Sequence, residues 1–398
     1  MICKIKTSKR YQYLFLVIAL PLIIFNGIQF FKQFKNEGLV TLDLRTYYLS
    51  TELYWKGINP YSDSMQVILN DSYKERKLIE INRKAGFPHA VCVYLPQFVW
   101  EFFLFNKIDF KVLQWIQMLF NILSIIFISW MLSKLNSTVK FYNIVLTLFA
   151  FRGTWYALMN GQPMFIALNL LILAYYCYKK NKLLFSSVLF ALAGFKVTFL
   201  IPFIGYFLYQ KHYKLLSFIF LFLLMFNLLP VLYFSDPMAL VKQWLENMEK
   251  LFEFTHSYSQ INGLNLISTS ITIPLAYFID ISTQSIKLLS VISMLFIFVL
   301  LKYNQVKPDR FLIVFSIAFF TFSHFLIYDL VFLILIHMLI SNKINNYYNL
   351  GMLLFLAIPI SKIVESVKIE ALYFYIPYGL FIVTMVTTIN CFIKKRMN

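Results

Sequence analysis

The sequence predicts an all-α fold, a polytopic membrane helix bundle of about twelve transmembrane helices. Of its 398 residues, 60% are hydrophobic and only 14% are charged, and the mean hydropathy is +0.69. A helix needs about 20 apolar residues to cross the hydrocarbon layer, so the apolar residues suffice for about twelve crossings. The 44 Phe and 26 Tyr beside only 11 Gly do not fit short alternating strands. A soluble enzyme and a single-pass receptor are excluded.

The net charge of +18 is better explained by membrane topology than by a nucleic acid partner, because no basic stripe on a solvated domain is visible. Short basic clusters flank the apolar runs at Lys4–Arg10, Lys134 and Lys140, Lys179–Lys182, Lys211–Lys214, Lys302–Arg310, Lys343 and Lys394–Arg396. We place them all, and both termini, on the cytoplasmic side of the plasma membrane. The chain must then cross an even number of times between any two clusters.

This parity decides how the first part of the chain is placed. Three apolar runs precede Lys134, at 11–31, 88–105 and 110–132, but only two crossings are allowed. The run that contains Pro96 and Glu101 is the weakest, since both residues are unfavourable in hydrocarbon. We therefore expect 88–105 to be an interfacial helix within a first outer loop at 32–109.

Parity also predicts a short hairpin between Lys182 and Lys211, because the segment is too long for one crossing and too short for two. Residues 183–195 rise only about 20 Å as a helix, so Lys196 should lie at the tip, inside the membrane slab.

The rest of the chain completes the bundle as one domain, 1–398, without an internal repeat. Residues 215–234 cross outward, and 235–284 form a second outer loop with an interfacial segment near 264–280. The remaining crossings are predicted at 285–301, 311–323, 329–341, 346–361 and 371–391.

Candidate functional residues are those that this topology places at the outer face or within the slab. Asp43, in the stretch 42–48, is a carboxylate near the membrane and a candidate general base. It could equally cap a short helix or pair with Arg45. Arg45 and Tyr61, which follows the Asn59-Pro60 turn signal, are further candidates in the same loop.

Gln162 and Lys196 are further candidate residues that the predicted topology places toward the outer side. Residues 152–163 are predicted as an outer turn between the third and fourth spans, in which Gln162 offers both a donor and an acceptor. An ordinary loop, with Pro163 starting the next helix, is the alternative. Lys196 costs roughly 2.5 to 3.5 kcal/mol at mid-membrane and so favours an anion or a wet cavity, unless it extends outward to water.

The last group lies in the stretch 321–329, an outer turn between two spans. His324, Tyr328 and Asp329 can each donate or accept protons there. Spacing alone does not assign their roles. They could also be ordinary interfacial residues, with Asp329 capping the next helix.

Several kinds of chemistry lack their motifs in this sequence. There is no phosphate-binding Gly-rich loop, no dinucleotide fingerprint and no His-Glu-x-x-His zinc motif. No Asp-x-Asp pair is available to chelate a divalent ion under a nucleotide diphosphate. We therefore predict no cofactor, leave a metal requirement open, and expect any sugar donor at the outer face to arrive on a lipid.

The order of these elements resembles the GT-C class of membrane glycosyltransferases, and most closely glycosyltransferase family 87, the polyprenol-phosphate-mannose-dependent type. The matching features are Asp43, Gly57-x-Asn59-Pro60-Tyr61, Tyr94-x-Pro96, Asn160-Gly161-Gln162, Gly194-x-Lys196, and His324 with Tyr328-Asp329. They run over residues 40–335. The family often has Asn-x-Ser in the second outer loop, where this chain has residues 259–263 without that signature, and a proline before the histidine turn is also absent.

The resemblance implies a GT-C-like bundle of about twelve spans with a cavity open to the outer leaflet. It implies that Asp43 is the base in an inverting transfer of mannose or another hexose from polyprenyl phosphate to a glycolipid or polysaccharide. Lys196 and His324 would stabilise the leaving phosphate. Tyr328, Asp329 and Gln162 would orient the sugar or the histidine, and Arg45 and Tyr61 would contact substrate.

Two other functions are compatible with the sequence alone. A transporter or flippase of a lipid-linked saccharide would also need many spans and buried charge. Transporters tend to have inverted repeats, whereas here the polar residues lie at one face. A non-catalytic partner in envelope polysaccharide assembly is the other alternative.

Overall fold

The chain forms helices, and no strands, in the residues that the structure describes. A computed structural model describes residues 9–37, 42–62, 95–137, 139–261, 283–322 and 327–340, together with positions 379 and 382. The predicted all-α fold class is therefore confirmed. The crossings predicted at 346–361 and 371–391 and the interfacial segment near 264–280 lie outside these segments.

The described segments consist of helices joined by short connections. In chain order, the helices are α1 Lys9–Glu37, α2 Leu42–Trp55, α3 Phe98–Glu101, α4 Phe110–Leu135, α5 Phe141–Ala150, α6 Arg152–Asn160, α7 Met164–Lys179, α8 Leu183–Leu192, α9 Val197–Tyr209, α10 Tyr213–Tyr233, α11 Pro237–Ile261, α12 Thr283–Tyr303, α13 Pro308–Phe322 and α14 Val331–Ile340. Short 3₁₀ segments are Phe103–Lys107, Ala193–Lys196 and Ile327–Leu330. The last three helices fall on the crossings predicted at 285–301, 311–323 and 329–341.

Several helices have the length and composition of membrane spans. Four described stretches qualify, namely Phe15–Lys32 within α1, α4, Leu183–Tyr209 and α10. The bent pair α6 and α7 makes five if it is counted as one span. The described residues thus form a polytopic membrane bundle, and the full number of about twelve crossings stays a prediction.

The stretch Leu183–Tyr209 is long enough to cross as one helix, but it folds back on itself at Ala193–Lys196. In a straight helix the rings of Phe190 and Phe207 would lie about 25 Å apart. Their centroids are 5.3 Å apart instead. Lys196 has φ −109° and ψ 66°, outside the helical region, and it marks the reversal. The predicted hairpin, with Lys196 at its tip, is confirmed.

Both ends of this hairpin lie at the same end of the bundle. The hydroxyl of Tyr178, in the last turn of α7, lies 2.8 Å from Nε2 of His212, just before α10. The lysine clusters Lys179–Lys182 and Lys211–Lys214 are therefore neighbours, and we call this the lysine end. The tip at Lys196 points to the opposite end, which we call the site end.

Residues 152–163 differ from the prediction of a simple outer turn. Positions 152–160 form α6, because they contain no proline and, apart from Gly153 in the first turn, no glycine. Gly161 then ends the helix in the left-handed region, at φ 64°, where glycine has no steric penalty. The chain turns by 116° between α6 and α7. This bend places Gln162 in the interior.

Of the proline-bearing segment predicted at 88–105 to be interfacial, residues 88–94 lie outside the described residues, and the described part is helical from Phe98. It forms α3 and the following 3₁₀ segment, with Phe98 and Val99 buried and Trp100 partly exposed. Gln97 ties this segment to the bundle: its Nε2 donates to the carbonyl of Ala191 at 3.1 Å, and its backbone N–H donates to Oδ1 of Asn227 at 3.2 Å. The segment 98–107 therefore packs between α2 and the hairpin tip.

The two regions predicted as outer loops meet each other. Helix α11 lies in the second of them, and Asp236 caps it by accepting a hydrogen bond from the backbone N–H of Ala239 at 3.0 Å. The Nδ2 of Asn247 donates to the carbonyl of Tyr61, in the first region, at 2.8 Å. Their position outside the membrane, and the loop boundaries 32–109 and 235–284, stay predictions.

Candidate functional site

Helix α2 carries Asp43 in its first turn, where a carboxylate is favoured by the positive end of the helix dipole. Tyr47 follows four residues later and so lies on the same face. Tyr47 is fully buried, and its ring packs 5.0 Å from that of Phe98. Asp43 retains a partly accessible surface. The helix therefore fixes a carboxylate and a phenol side by side at the site end.

Gln162 joins these two groups. Its Nε2 donates to Oδ2 of Asp43 at 2.5 Å, and its Oε1 accepts from the hydroxyl of Tyr47 at 3.3 Å. The side-chain amide is therefore held in one orientation, with its N–H group toward the carboxylate. Gln162 is buried, with 1% of its surface exposed, so the described contacts of its amide are to protein groups.

Two polar residues of α4 support Gln162 from behind. Asn121 donates through Nδ2 to the backbone carbonyl of Gln162 at 3.1 Å. Gln117, one turn earlier, donates through Nε2 to Oδ1 of Asn121 at 3.4 Å. Both are buried in a helix that is otherwise mostly apolar. Polar side chains in such a helix need partners, and here they form a chain that ends at Asp43.

Lys196, at the hairpin tip, forms an ion pair with Asp329. Its Nζ lies 3.0 Å from Oδ1 of Asp329, and both side chains are nearly buried. The same Nζ lies 5.4 Å from the centroid of the Phe199 ring. The pair joins the tip to the 3₁₀ segment Ile327–Leu330, which packs against α6.

Electrostatic interactions of Asp43 connect its hydrogen-bonded group with the ion pair of Lys196 and Asp329. Burial raises the pKa of the Asp43 carboxyl to about 6, because the ionised form loses water. The hydrogen bond from Gln162 and the charge of Lys196 oppose this and lower the pKa, whereas the charge of Asp329 raises it. Asp43, Lys196 and Asp329 are thus close enough to interact.

This arrangement can accept a proton and stabilise a negative charge. A carboxylate whose pKa is about 6 is mostly ionised at neutral pH, yet it binds a proton more strongly than an ordinary aspartate. The ammonium group of Lys196 provides positive charge in a poorly solvated place, where its effect on a nearby anion is large. A group transfer that releases an anion would use both.

The other predicted site residues are placed differently or lie outside the described parts. Arg45 lies two positions after Asp43, roughly 200° around the helix, with its guanidinium 5.4 Å from the Phe110 ring. Tyr61 is buried at the far end of α2, and its backbone N–H donates to Oδ1 of Asn59 at 3.0 Å. His324 and the side chain of Tyr328 are outside the described residues.

Sequence reasoning missed Tyr47, Asn121 and Gln117. Each left a signal in the sequence: Tyr47 follows Asp43 at helical spacing, and the other two are polar residues four apart in an apolar span. Within the described segments, no group of three or more His, Cys, Asp or Glu side chains is arranged to hold a metal ion.

A comparison with protein-family models gives a match. The model described as Glycosyltransferase family 87 matches residues 93–328, more than half of the chain. The match includes Asn121, Gln162 and Lys196, ends one residue before Asp329, and does not extend to Asp43. Neither the curated proteins nor the solved structures include a significant match to this chain.

Proposed function

This chain belongs to glycosyltransferase family 87, and we propose that it transfers a hexose, such as mannose, from a polyprenyl-phosphate donor to a glycolipid or polysaccharide acceptor. The GT-C class of multi-span enzymes fits this family. The observation that supports the proposal best is the Asp43 carboxylate, held by Gln162 and within electrostatic reach of Lys196. A base and a cation within electrostatic reach of each other suit a displacement at the anomeric carbon.

In the proposed reaction, Asp43 accepts the proton of an acceptor hydroxyl. The hydroxyl oxygen forms a bond to the anomeric carbon while the bond from that carbon to the phosphate oxygen breaks. The electron pair leaves with polyprenyl phosphate, and the anomeric centre is inverted. Lys196 offsets the charge that develops on the phosphate. Gln162 and Tyr47 hold the carboxylate toward the acceptor, and Asp329 holds Lys196.

We place the reaction at the extracytoplasmic face of the plasma membrane, with both termini in the cytoplasm. The lysine end lies opposite the hairpin tip, and short loops rich in lysine favour the cytoplasm. Nucleotide sugars are not available outside the cytoplasm, which favours a donor carried by a lipid. His324 and Tyr328 remain proposed contacts of the phosphate and the sugar, and Arg45 and Tyr61 remain proposed contacts of the substrate.

The donor can be tested directly with the purified full-length protein in proteoliposomes. Radiolabelled hexose is supplied either on polyprenyl phosphate or on a nucleotide diphosphate, together with membrane glycolipids as acceptors. We expect a labelled glycosidic product from the lipid donor alone. Product from the nucleotide sugar would contradict the proposal. Movement of the intact lipid donor across the bilayer without a product would favour a flippase instead.

We expect Gln162→Leu to move the acid limb of the pH profile to higher pH. The hydrogen bond from Gln162 favours the ionised form of Asp43, so its loss raises the pKa of Asp43 above about 6. The base acts only when it is ionised. On acidification, kcat/KM of the variant should therefore begin to fall at a higher pH than kcat/KM of the wild type. Tyr47→Phe removes only the hydroxyl group that donates a hydrogen bond to Oε1 of Gln162. It should shift the acid limb in the same direction, but by less. An unchanged limb with a lower rate would mean that Gln162 acts through packing alone.

A further inference from the structure

The hairpin tip is held by hydrogen bonds from outside the hairpin. The α-helical hydrogen bonds of α8 end at Leu192, so its last carbonyl groups are open to other donors. Where such carbonyl groups are buried, a protein group must take the place of water. The Nε2 of Gln97 donates to the carbonyl of Ala191 at 3.1 Å and to that of Leu192 at 3.3 Å. The side chain of Gln97 therefore closes the end of α8, just before Lys196.

Gln97 is itself held by α10. Its Oε1 accepts from Nδ2 of Asn227 at 2.9 Å, and its backbone N–H donates to Oδ1 of the same residue at 3.2 Å. Its Nε2 also donates to Oε1 of Glu101 at 2.9 Å. Gln97 is buried, and each end of its amide has its own protein partners. The amide therefore cannot turn over without placing its oxygen against the carbonyl oxygens of the tip. We call Gln97 and Asn227 together the tip clamp.

The tip lies directly against the same part of α10. A Cβ atom on Gly194 would overlap Cδ2 of Leu223 and would lie 3.5 Å from Oε1 of Gln97. Leu223 is one turn before Asn227, and its carbonyl accepts from Nδ2 of Asn227 at 2.8 Å. Only a glycine lets the backbone come this close. Because Gly194 is two residues before Lys196, the backbone that carries the lysine is docked against the tip clamp.

Lys196 is thus held in two ways. Asp329 binds its ammonium group at 3.0 Å, whereas the tip clamp fixes the backbone that carries it. A lysine side chain is long and flexible, so the place of its charge depends on the backbone as well as on the ion pair. Stabilising a developing charge requires a cation that is already in position, and a displacement of about 1 Å can cost about 100-fold in rate. The bonds of Gln97 therefore bear on the chemistry of Lys196.

We propose that Gln97 is a positioning residue of the transfer reaction, which fixes the hairpin tip and so the place at which Lys196 meets the phosphate of the lipid donor. The inference rests on the proposed glycosyl transfer, in which Lys196 offsets charge on the leaving phosphate. Gln97 acts through Lys196 and does not itself contact the substrate. A role in stability alone is the alternative, because a buried amide with these bonds also stabilises the fold. The two roles differ in whether the effect of Gln97 requires Lys196.

The first test measures binding without catalysis, on the full-length protein in nanodiscs of zwitterionic lipid. The probes are polyprenyl phosphate and the uncharged polyprenol of the same chain length, and the bound probe is counted by native mass spectrometry. We expect the wild type to bind the phosphate about tenfold more tightly, since one hydrogen bond to a charged group contributes about this factor. Gln97→Leu and Asn227→Leu should each remove most of this difference.

The matched control is Asn136→Leu, which also removes a buried side-chain amide that donates to a backbone carbonyl of another helix. The Nδ2 of Asn136 donates to the carbonyl of Met338 at 2.7 Å, and Asn136 lies roughly 22 Å along α4 from Asn121. Thermal unfolding should show a lower midpoint for the control and the clamp variants alike, but the control should keep the preference for the phosphate. A wild type without this preference, or a preference that survives in both clamp variants, would overturn the inference.

The second test compares the effect of Gln97→Leu with and without Lys196. With Lys196 present, we expect transfer to fall about tenfold, mainly in kcat. In a protein that already carries Lys196→Met, the same substitution should change the residual rate by less than about twofold, because the group that it positions is absent. An equal loss in both proteins would overturn the inference and leave Gln97 with a role in packing. If the clamp variants lose the phosphate preference while the wild type transfers no sugar, the clamp stands and the proposed reaction falls.

Discussion

Replacing Asp43 by asparagine should reduce sugar transfer by about 10² to 10⁴-fold, the contribution typical of a general base. Asparagine has nearly the same shape and can still contact Gln162, but it cannot take the proton of the acceptor hydroxyl. The loss should appear in kcat, with little change in KM for the lipid donor. The measurement is the rate of product formation from polyprenyl-phosphate-hexose in proteoliposomes.

The matched control for this prediction lies on the same helix. Glu52→Gln also removes one carboxylate from α2, but Glu52 is at the surface and pairs with Lys56. Its activity should remain close to that of the wild type. If Asp43→Asn and Glu52→Gln transfer sugar equally well, Asp43 is not the base, and the role of its hydrogen bond to Gln162 is structural.

The sequence predicted the hairpin at Lys196 because charge decides membrane topology. Lysine clusters favour the cytoplasmic side, so both ends of the segment between them should lie on that side. The segment is too short for two full crossings, and a short hairpin is therefore the expected structure. Residues 152–160 were harder to assign. Gly153 and Pro163 both favour a turn, but only Gly161 adopts a backbone conformation that ends the helix.

The site was only partly predictable. Asp43, Gln162, Lys196 and Asp329 were selected from the sequence, and the structure brings them together. Which of them touch could not be derived, since Asp43 and Gln162 are 119 positions apart and meet through the packing of α2 against the bend after α6. Arg45 shows the opposite case: it is adjacent to Asp43 in sequence, but the helix turns it toward Phe110.

Lys196→Met should have the second large effect, a loss of transfer of about 10² to 10³-fold. The substitution removes the cation proposed to offset charge on the leaving phosphate. It also leaves Asp329 buried without the partner seen at 3.0 Å, and breaking a buried pair in this way destabilises a protein by about 3 to 5 kcal/mol. Thermal unfolding should therefore show a lower midpoint, and residual activity should be measured well below it.

The double variant Lys196→Met with Asp329→Asn separates the two roles of the lysine. Neutralising Asp329 removes the buried negative charge that Lys196 balances in the wild type, so much of the stability should return. The pH profile gives a second readout, because Lys196 lowers the pKa of Asp43 and Asp329 raises it. Lys196→Met alone should therefore move the acid limb up, and Asp329→Asn alone should move it down. If Lys196 serves only to neutralise Asp329, the double variant should recover transfer. If the lysine acts on the leaving phosphate, the double variant should be stable and still inactive, and this is the result that we expect.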